Sequence, residues 1–147
     1  MTIRVLVADD QAMIRGALAG LLDLERDIEV VAQAADGAQA LDELARLASA
    51  DAPAHASAPV DVAIIDVEMP RMDGITATQA IRSRFPGVRV LIVTTFGRPG
   101  YLQRALDAGA TGFTVKDAPV ETLAEGVRTV AAGGRAIDQD LALEALE

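Results

Sequence analysis

The sequence predicts an α/β fold: one parallel five-stranded sheet with helices on both faces. Two observations carry this. Short apolar, β-branched runs alternate strictly with stretches whose apolar residues recur every three or four positions. The runs themselves are mostly apolar, as in strands of a parallel sheet covered by helices on both faces. Right-handed crossovers leave few topologies, and five strands fit the flavodoxin-like order 2-1-3-4-5.

The elements follow in order. "IRVLVA" (3–8) reads as the first strand. "QAMIRGALAGLLDL" (11–24) reads as a helix with Ile14, Ala17, Leu18, Leu21 and Leu22 on one face. "IEVVAQA" (28–34) is the second strand, and Asp36-Gly37 is turn chemistry before a helix from Ala38 to Leu47. "ASADAPAHASAP" (48–59) reads as an extended surface loop, followed by "VDVAIID" (60–66) as the third strand. Asp73 is placed to cap a helix over 74–85, which Pro86-Gly87 ends. "VRVLIVT" (88–94) is the fourth strand, 100–109 a helix stopped by Gly109, and "TGFTVK" (111–116) the fifth strand. A closing helix spans 119–134, with Pro119 in its first turn and Gly133 at its end. The last residues read as a short helix or a frayed end.

The composition excludes several functions. With 147 residues of uniform character, one domain is expected. There is no cysteine, which removes disulfides, thiolate metal sites and cysteine nucleophiles. No basic segment followed by a long apolar one opens the chain, and no apolar run reaches the length of a membrane span, so a cytoplasmic protein is expected. The net charge of −9 disfavours binding of a phosphate backbone by these residues.

Ligands of open parallel sheets bind outside the carboxyl ends of the strands. Strand one ends in Asp9 and Asp10, strand three in Asp66, strand four in Thr94 and Thr95, and strand five in Lys116. In the expected order these strands are neighbours, so three carboxylates, hydroxyls and an ammonium meet at one rim. Close carboxylates raise each other's pKa, and a divalent cation relieves the repulsion. An all-oxygen set points to a hard ion, Mg²⁺ rather than zinc, with Mn²⁺ as the substitute. The lysine suits a phosphoryl group. A carboxylate can attack phosphorus to form an acyl phosphate, with positioning and electrostatics supplying most of the rate. No Walker loop or GxGxxG is present, which disfavours a nucleotide-binding enzyme. His55 sits in the alanine-rich loop and is not expected to be catalytic.

These residues, Asp9-Asp10, "DVEMPRMDG" from Asp66, Thr94 in "VTTF" and Lys116 in "GFTVKD", resemble the receiver (CheY-like) domain of two-component response regulators, over residues 3 to about 134. The resemblance implies the following roles. Asp66 accepts a phosphoryl group from a sensor histidine kinase. Asp10, Asp66 and the backbone carbonyl of Glu68 bind Mg²⁺, and Asp9 helps through water. Lys116 pairs with the phosphoryl oxygens, Thr94 moves to bind them, and Phe113 turns inward with it. Such a domain is a phosphoacceptor rather than a turnover enzyme. "KD" after the fifth strand and "VRTVAAGGRAI" are similar to the NarL/FixJ group, whose members carry a LuxR-type helix-turn-helix. "TTFGRPGYLQRAL" and "LLDLERDIEVV" are similar to its DesR-like branch. On this reading, residues 1–134 are the receiver and 135–147 a tail leading towards a DNA-binding domain, through which alone DNA would be contacted.

The resemblance also implies pairing of two copies through the first and last helices, with Met13, Leu18, Leu22, Leu123, Val127 and Val130 as the candidate face. Three departures are visible: the long interval from Asp10 to Asp66, phenylalanine at 113 where tyrosine is common, and Thr95 where alanine is frequent. The glycine- and proline-rich start of the fourth helix predicts a segment, 96–104, that orders on phosphorylation. Two alternatives stand beside this reading. A phosphatase of the HAD type would want DxDx[TV] after the first strand, and "ADDQA" lacks it. A pseudo-receiver acting only as an interaction module would be expected to lose Asp66, Thr94 or Lys116, and all three are present.

Overall fold

The structure is a computed structural model that describes residues 2–50, 58–94, 100–116 and 118–137. The elements are β1 (Ile3–Ala8), α1 (Ala12–Asp23), β2 (Ile28–Ala34), α2 (Gly37–Ala50), β3 (Val62–Asp66), α3 (Gly74–Arg84), β4 (Arg89–Thr94), α4 (Tyr101–Ala108), β5 (Gly112–Val115), α5 (Val120–Ala131) and β6 (Ala136–Ile137). Among the described residues, no helix is long and apolar enough to cross a membrane.

All strand pairings are parallel, and the sheet order is β2-β1-β3-β4-β5-β6. The expected order 2-1-3-4-5 is therefore present, with one strand added at the edge. β6 is only two residues long, too short for any periodic pattern to announce it. It begins inside the stretch expected as tail, so the sheet runs past residue 134. The second helix is longer than expected and reaches Ala50, because its alanine-rich end favours helix over loop.

Strand alternation divides the interior in two. Ala63 and Ile65 of β3 point to the side covered by α2, α3 and α4, where they meet Leu44, Ile81, Ile92 and Phe113. Val62 and Ile64 point to the side of α1 and α5, with Leu22, Leu91, Val127 and Val130. Every residue of β3 is buried, the terminal Asp66 included. The central strand is thus clamped on both faces, which gives its last side chain a rigid base.

The first helix departs from its expected orientation. Only Ala19 and Leu22 are buried in α1, and Leu18 is half-buried. Met13 is 89% exposed and Leu24 77%, while Ile14 and Leu21 are also exposed. α1 carries more apolar surface than its contact with the sheet uses. The buried stripe is the narrow one at positions 15, 18, 19 and 22, and Arg15 occupies its first place by donating to the Asp9 carbonyl at 2.8 Å. The candidate pairing face is corrected accordingly. Leu22, Leu123, Val127 and Val130 lie in the core, at 5% exposure or less, and are not available to a partner. Met13 and Leu18 remain on or near the surface. On the same side, Arg128 of α5 bonds Glu25 and Asp27 and so ties α5 to the turn before β2.

Candidate phosphoryl and metal site

Asp9 and Asp10 leave β1, Asp66 ends β3, Thr94 ends β4, and Lys116 follows β5, so the crossover topology brings all five to one rim. Carboxylate oxygens of Asp9, Asp10 and Asp66 lie within 4.8 Å of one another. Asp9 and Asp66 are buried, at 2% and 4% exposure, whereas Asp10 is exposed. The Lys116 ammonium sits between the two buried acids, with Nζ 3.0 Å from Asp66 Oδ2 and 3.3 Å from Asp9 Oδ2.

Backbone contacts set these positions. The Lys116 N–H donates to the Thr94 carbonyl at 2.8 Å, which fixes the end of β5 against the end of β4. The Gln11 N–H donates to Asp9 Oδ1 at 2.9 Å and holds that carboxylate at the head of α1. Asp73 caps α3 by accepting from the Thr76 N–H at 2.8 Å, as expected from the sequence. Gly74, next in line, is required by space. A Cβ there would lie 2.2 Å from the Asp66 carbonyl oxygen. The "MDG" of the motif therefore caps a helix and lets it start directly against the backbone of the acid.

The electrostatics are unbalanced. Burial pushes the Asp66 carboxyl up to about 6; Lys116 opposes the rise and Asp9 adds to it. Burial alone would lower Lys116, but Asp66 and Asp9 outweigh it and hold its pKa above the usual lysine value. Lys116 pairs with Asp66 Oδ2 without aligning for a hydrogen bond, so this buried oxygen lacks a hydrogen-bond partner among the described residues. Two buried acids share one ammonium, with a third acid beside them. A hard divalent cation fits this donor set and would take up the unsatisfied oxygen.

The site opens into a cavity of about 220 Å³ lined by Asp10, Gln11, Asp66, Glu68, Thr94 and Lys116. A larger cleft of about 450 Å³ adjoins it through Asp10 and Glu68 and runs to Tyr101 and Arg104. Tyr101 donates to Glu68 Oε1 at 3.4 Å across the cleft mouth. Phe113 lies apart from the cavity, 2% exposed in the core. A phenyl ring has no hydroxyl to draw it to water. Thr95, Phe96 and the rest of 95–99 lie outside the described residues, as does His55.

Gln11 is a site residue that sequence reading missed. Its Oε1 accepts from Lys116 Nζ at 3.3 Å, across 105 positions of chain. The available signal was its place directly after the Asp9-Asp10 pair, at the head of a helix that its side chain does not cap.

Comparison with known proteins agrees with this geometry. Residues 5–128 match the family described as the response regulator receiver domain. The chain is 40% identical over 133 residues to the transcriptional regulatory protein DesR of Bacillus subtilis, covering 90% of this chain and 60% of DesR. It is 38% identical over 139 residues to the uncharacterized transcriptional regulatory protein YvfU of the same organism, covering 95% of this chain and 64% of YvfU. The chain thus spans under two thirds of the length of these relatives. Among solved structures, a LuxR-family two-component response regulator from Aurantimonas sp. SI85-9A1 superposes with a TM-score of 0.84 at 29% identity, covering 99% of this chain and 96% of the other. The receiver domain of the putative response regulator NarL from Mycobacterium tuberculosis gives 0.77 at 34% identity, covering 90% and 98%. A matched family domain over most of the chain, the likeness to NarL- and LuxR-family receivers, and the site at the carboxyl ends of the strands lead to one conclusion: the chain belongs to the response regulator receiver domains, in the NarL/LuxR family.

Proposed function

We propose that Asp66 is a phosphoacceptor, charged by a sensor histidine kinase in a Mg²⁺-dependent reaction, and that the phosphorylated domain controls a DNA-binding output elsewhere in the protein. The observation that carries this is the buried Asp66 carboxylate, grouped with Asp9 and Asp10 and paired with Lys116 at 3.0 Å. Asp9, Asp10 and Asp66, with the Glu68 carbonyl, would hold the ion, which when bound neutralises charge on the phosphoryl oxygens.

The chain's own residues do the rest. β3 holds the Asp66 carboxylate in one place, and an oxygen of it attacks phosphorus. The O–P bond forms as the P–N bond to the kinase imidazole breaks, and the electron pair returns to the imidazole nitrogen. Lys116 stays with the charge as it moves from carboxylate to phosphoryl oxygens, and its raised pKa keeps it protonated throughout. Thr94, at the end of β4 and lining the same cavity, supplies the hydroxyl that meets the new phosphoryl group. Hydrolysis later returns Asp66 and inorganic phosphate, so the domain is consumed and reset and is not a turnover enzyme in the usual sense.

The output is a population shift: a phosphoryl group stabilises one of two arrangements of the chain. Pairing of two copies is the form of output that the exposed apolar side of α1 supports, through Met13, Ile14, Leu21 and Leu24 rather than the core residues of α5. A cytoplasmic location goes with this reading. The experiment is incubation with acetyl phosphate and Mg²⁺ followed by intact mass. A gain of one phosphoryl group in the wild type, lost in Asp66→Ala, is expected. No gain in the wild type would leave a binding module in its place.

A further inference from the structure

The loop 67–73 joins Asp66 to α3, and it carries Glu68. Glu68 is two residues past Asp66 and lines the same cavity as its carboxylate. The far end of this loop is tied to a different part of the molecule. Arg71 is the one non-glycine residue with positive φ among the described residues, at +64°. That conformation costs an L-residue on the order of 1 kcal/mol, and glycine nothing.

The arginine makes a contact that glycine could not. Its Nε donates to Asp36 Oδ2 at 2.7 Å, and Nη2 donates to the same oxygen. Asp36 is 2% exposed, so its charge needs a partner, while the Arg71 side chain is 70% exposed and reaches in from solvent. The other oxygen, Asp36 Oδ1, accepts from the Gln39 N–H at 2.8 Å and caps α2. One buried carboxylate thus holds a helix start with one oxygen and the loop after β3 with the other. The next residue adds a second tie. The Gly37 N–H donates to the Met72 carbonyl at 3.0 Å, and a Cβ on Gly37 would stand 2.7 Å from that oxygen. At the loop's ends, the Gly74 N–H donates to the Val67 carbonyl at 2.8 Å.

We infer that Arg71, acting through Asp36, is a positioning residue for the divalent-cation site: the pair fixes the loop that presents the Glu68 backbone beside Asp66. This rests on the phosphoacceptor reading above. It also gives α2 and β2, at the edge of the sheet, a mechanical link to the phosphoryl site.

The test is titration calorimetry of Mg²⁺ into the unphosphorylated protein, with thermal midpoints and phosphoryl gain from acetyl phosphate recorded in parallel. Arg71→Gly removes the ion pair and relieves the backbone. Asp36→Asn removes the charge but keeps a good helix cap. Both are expected to bind Mg²⁺ about ten-fold more weakly than wild type. Arg71→Lys recovers part of the loss, and the double variant is no weaker than the singles. The glycine suits its φ, so Arg71→Gly remains folded even where Asp36→Asn does not. Mg²⁺ binding by folded Arg71→Gly equal to that of a wild type that takes up phosphoryl overturns the inference alone. A wild type that neither binds Mg²⁺ nor gains phosphoryl overturns the functional reading and this inference with it.

Discussion

Lys116 Nζ lies 3.0 Å from Asp66 Oδ2, at the ends of two strands separated in the sheet by β4. The pair exists because β3 and β5 both lie next to β4 and end within one residue of each other along it. Its first consequence concerns rate. Lys116→Ala leaves all three carboxylates in place, so Mg²⁺ binding persists. Phosphoryl transfer loses a fixed cation at the developing charge. Phosphorylation by acetyl phosphate is expected to slow by about 10² or more, as read from the time course of intact mass.

The second concerns stability and pH. The Asp66 pKa is raised in the fold, from 3.8 to about 6, with burial as the main cause. The folded state therefore binds this proton more tightly than the unfolded chain does. Above pH 6 the ionised carboxylate is a burden on the fold, and the burden lifts as pH falls through 6 towards 4. In chelator at pH 7.5, Asp66→Asn should stabilise the protein by up to about 3 kcal/mol, from 1.36 kcal/mol per pKa unit. The gain should shrink towards zero near pH 4. Added Mg²⁺ should raise the midpoint of the wild type and not of Asp66→Asn. Denaturant melts across this range check all three.

Gly74 is the most constrained position near the acid. Its Cβ position lies 2.2 Å from a backbone oxygen, which cannot rotate away as a side chain would. Gly74→Ala is expected to destabilise by about 2–3 kcal/mol through overpacking. It should also displace the end of β3, so phosphorylation falls even under conditions where the variant is folded. Thermal melts and intact mass on the same sample test this.

The exposed side of α1 gives a prediction of opposite kind. Met13 and Leu24 are 89% and 77% exposed and contribute little to the fold. Met13→Lys and Leu24→Lys should change stability by less than about 0.5 kcal/mol. They should abolish a phosphorylation-dependent rise in mass by light scattering, while Asp66 still takes up its phosphoryl group. A rise that survives both substitutions would place the contact elsewhere.

Much of this was legible in the sequence, for physical reasons that vary by element. The central strands β1, β3 and β4 were readable because strands buried along most of their length cannot hide their apolar runs, and edge strand β2 kept enough apolar residues to be read with them. Asp9, Asp10, Asp66, Thr94 and Lys116 were readable because each stands at a strand's carboxyl end, where topology brings them together. The face of α1 was misread, since its apolar residues outnumber those the sheet covers, and periodicity cannot say which stripe is used. β6 left no signal because two residues have no period. Gln11 and Arg71 were illegible for another reason: each reaches its partner with a long side chain across the fold, to Lys116 and to Asp36, and only the assembled chain shows the pairing.

One carboxylate, Asp66, is expected to carry the phosphoryl group. Borohydride trapping addresses it most directly. After reaction with acetyl phosphate and Mg²⁺, reduction converts an acyl phosphate to an alcohol, and peptide mass spectrometry locates the altered residue. Reduction is expected at Asp66 alone, dependent on Mg²⁺ and diminished in Lys116→Ala. Modification at Asp9 or Asp10, or none at Asp66 in a folded protein, would contradict it.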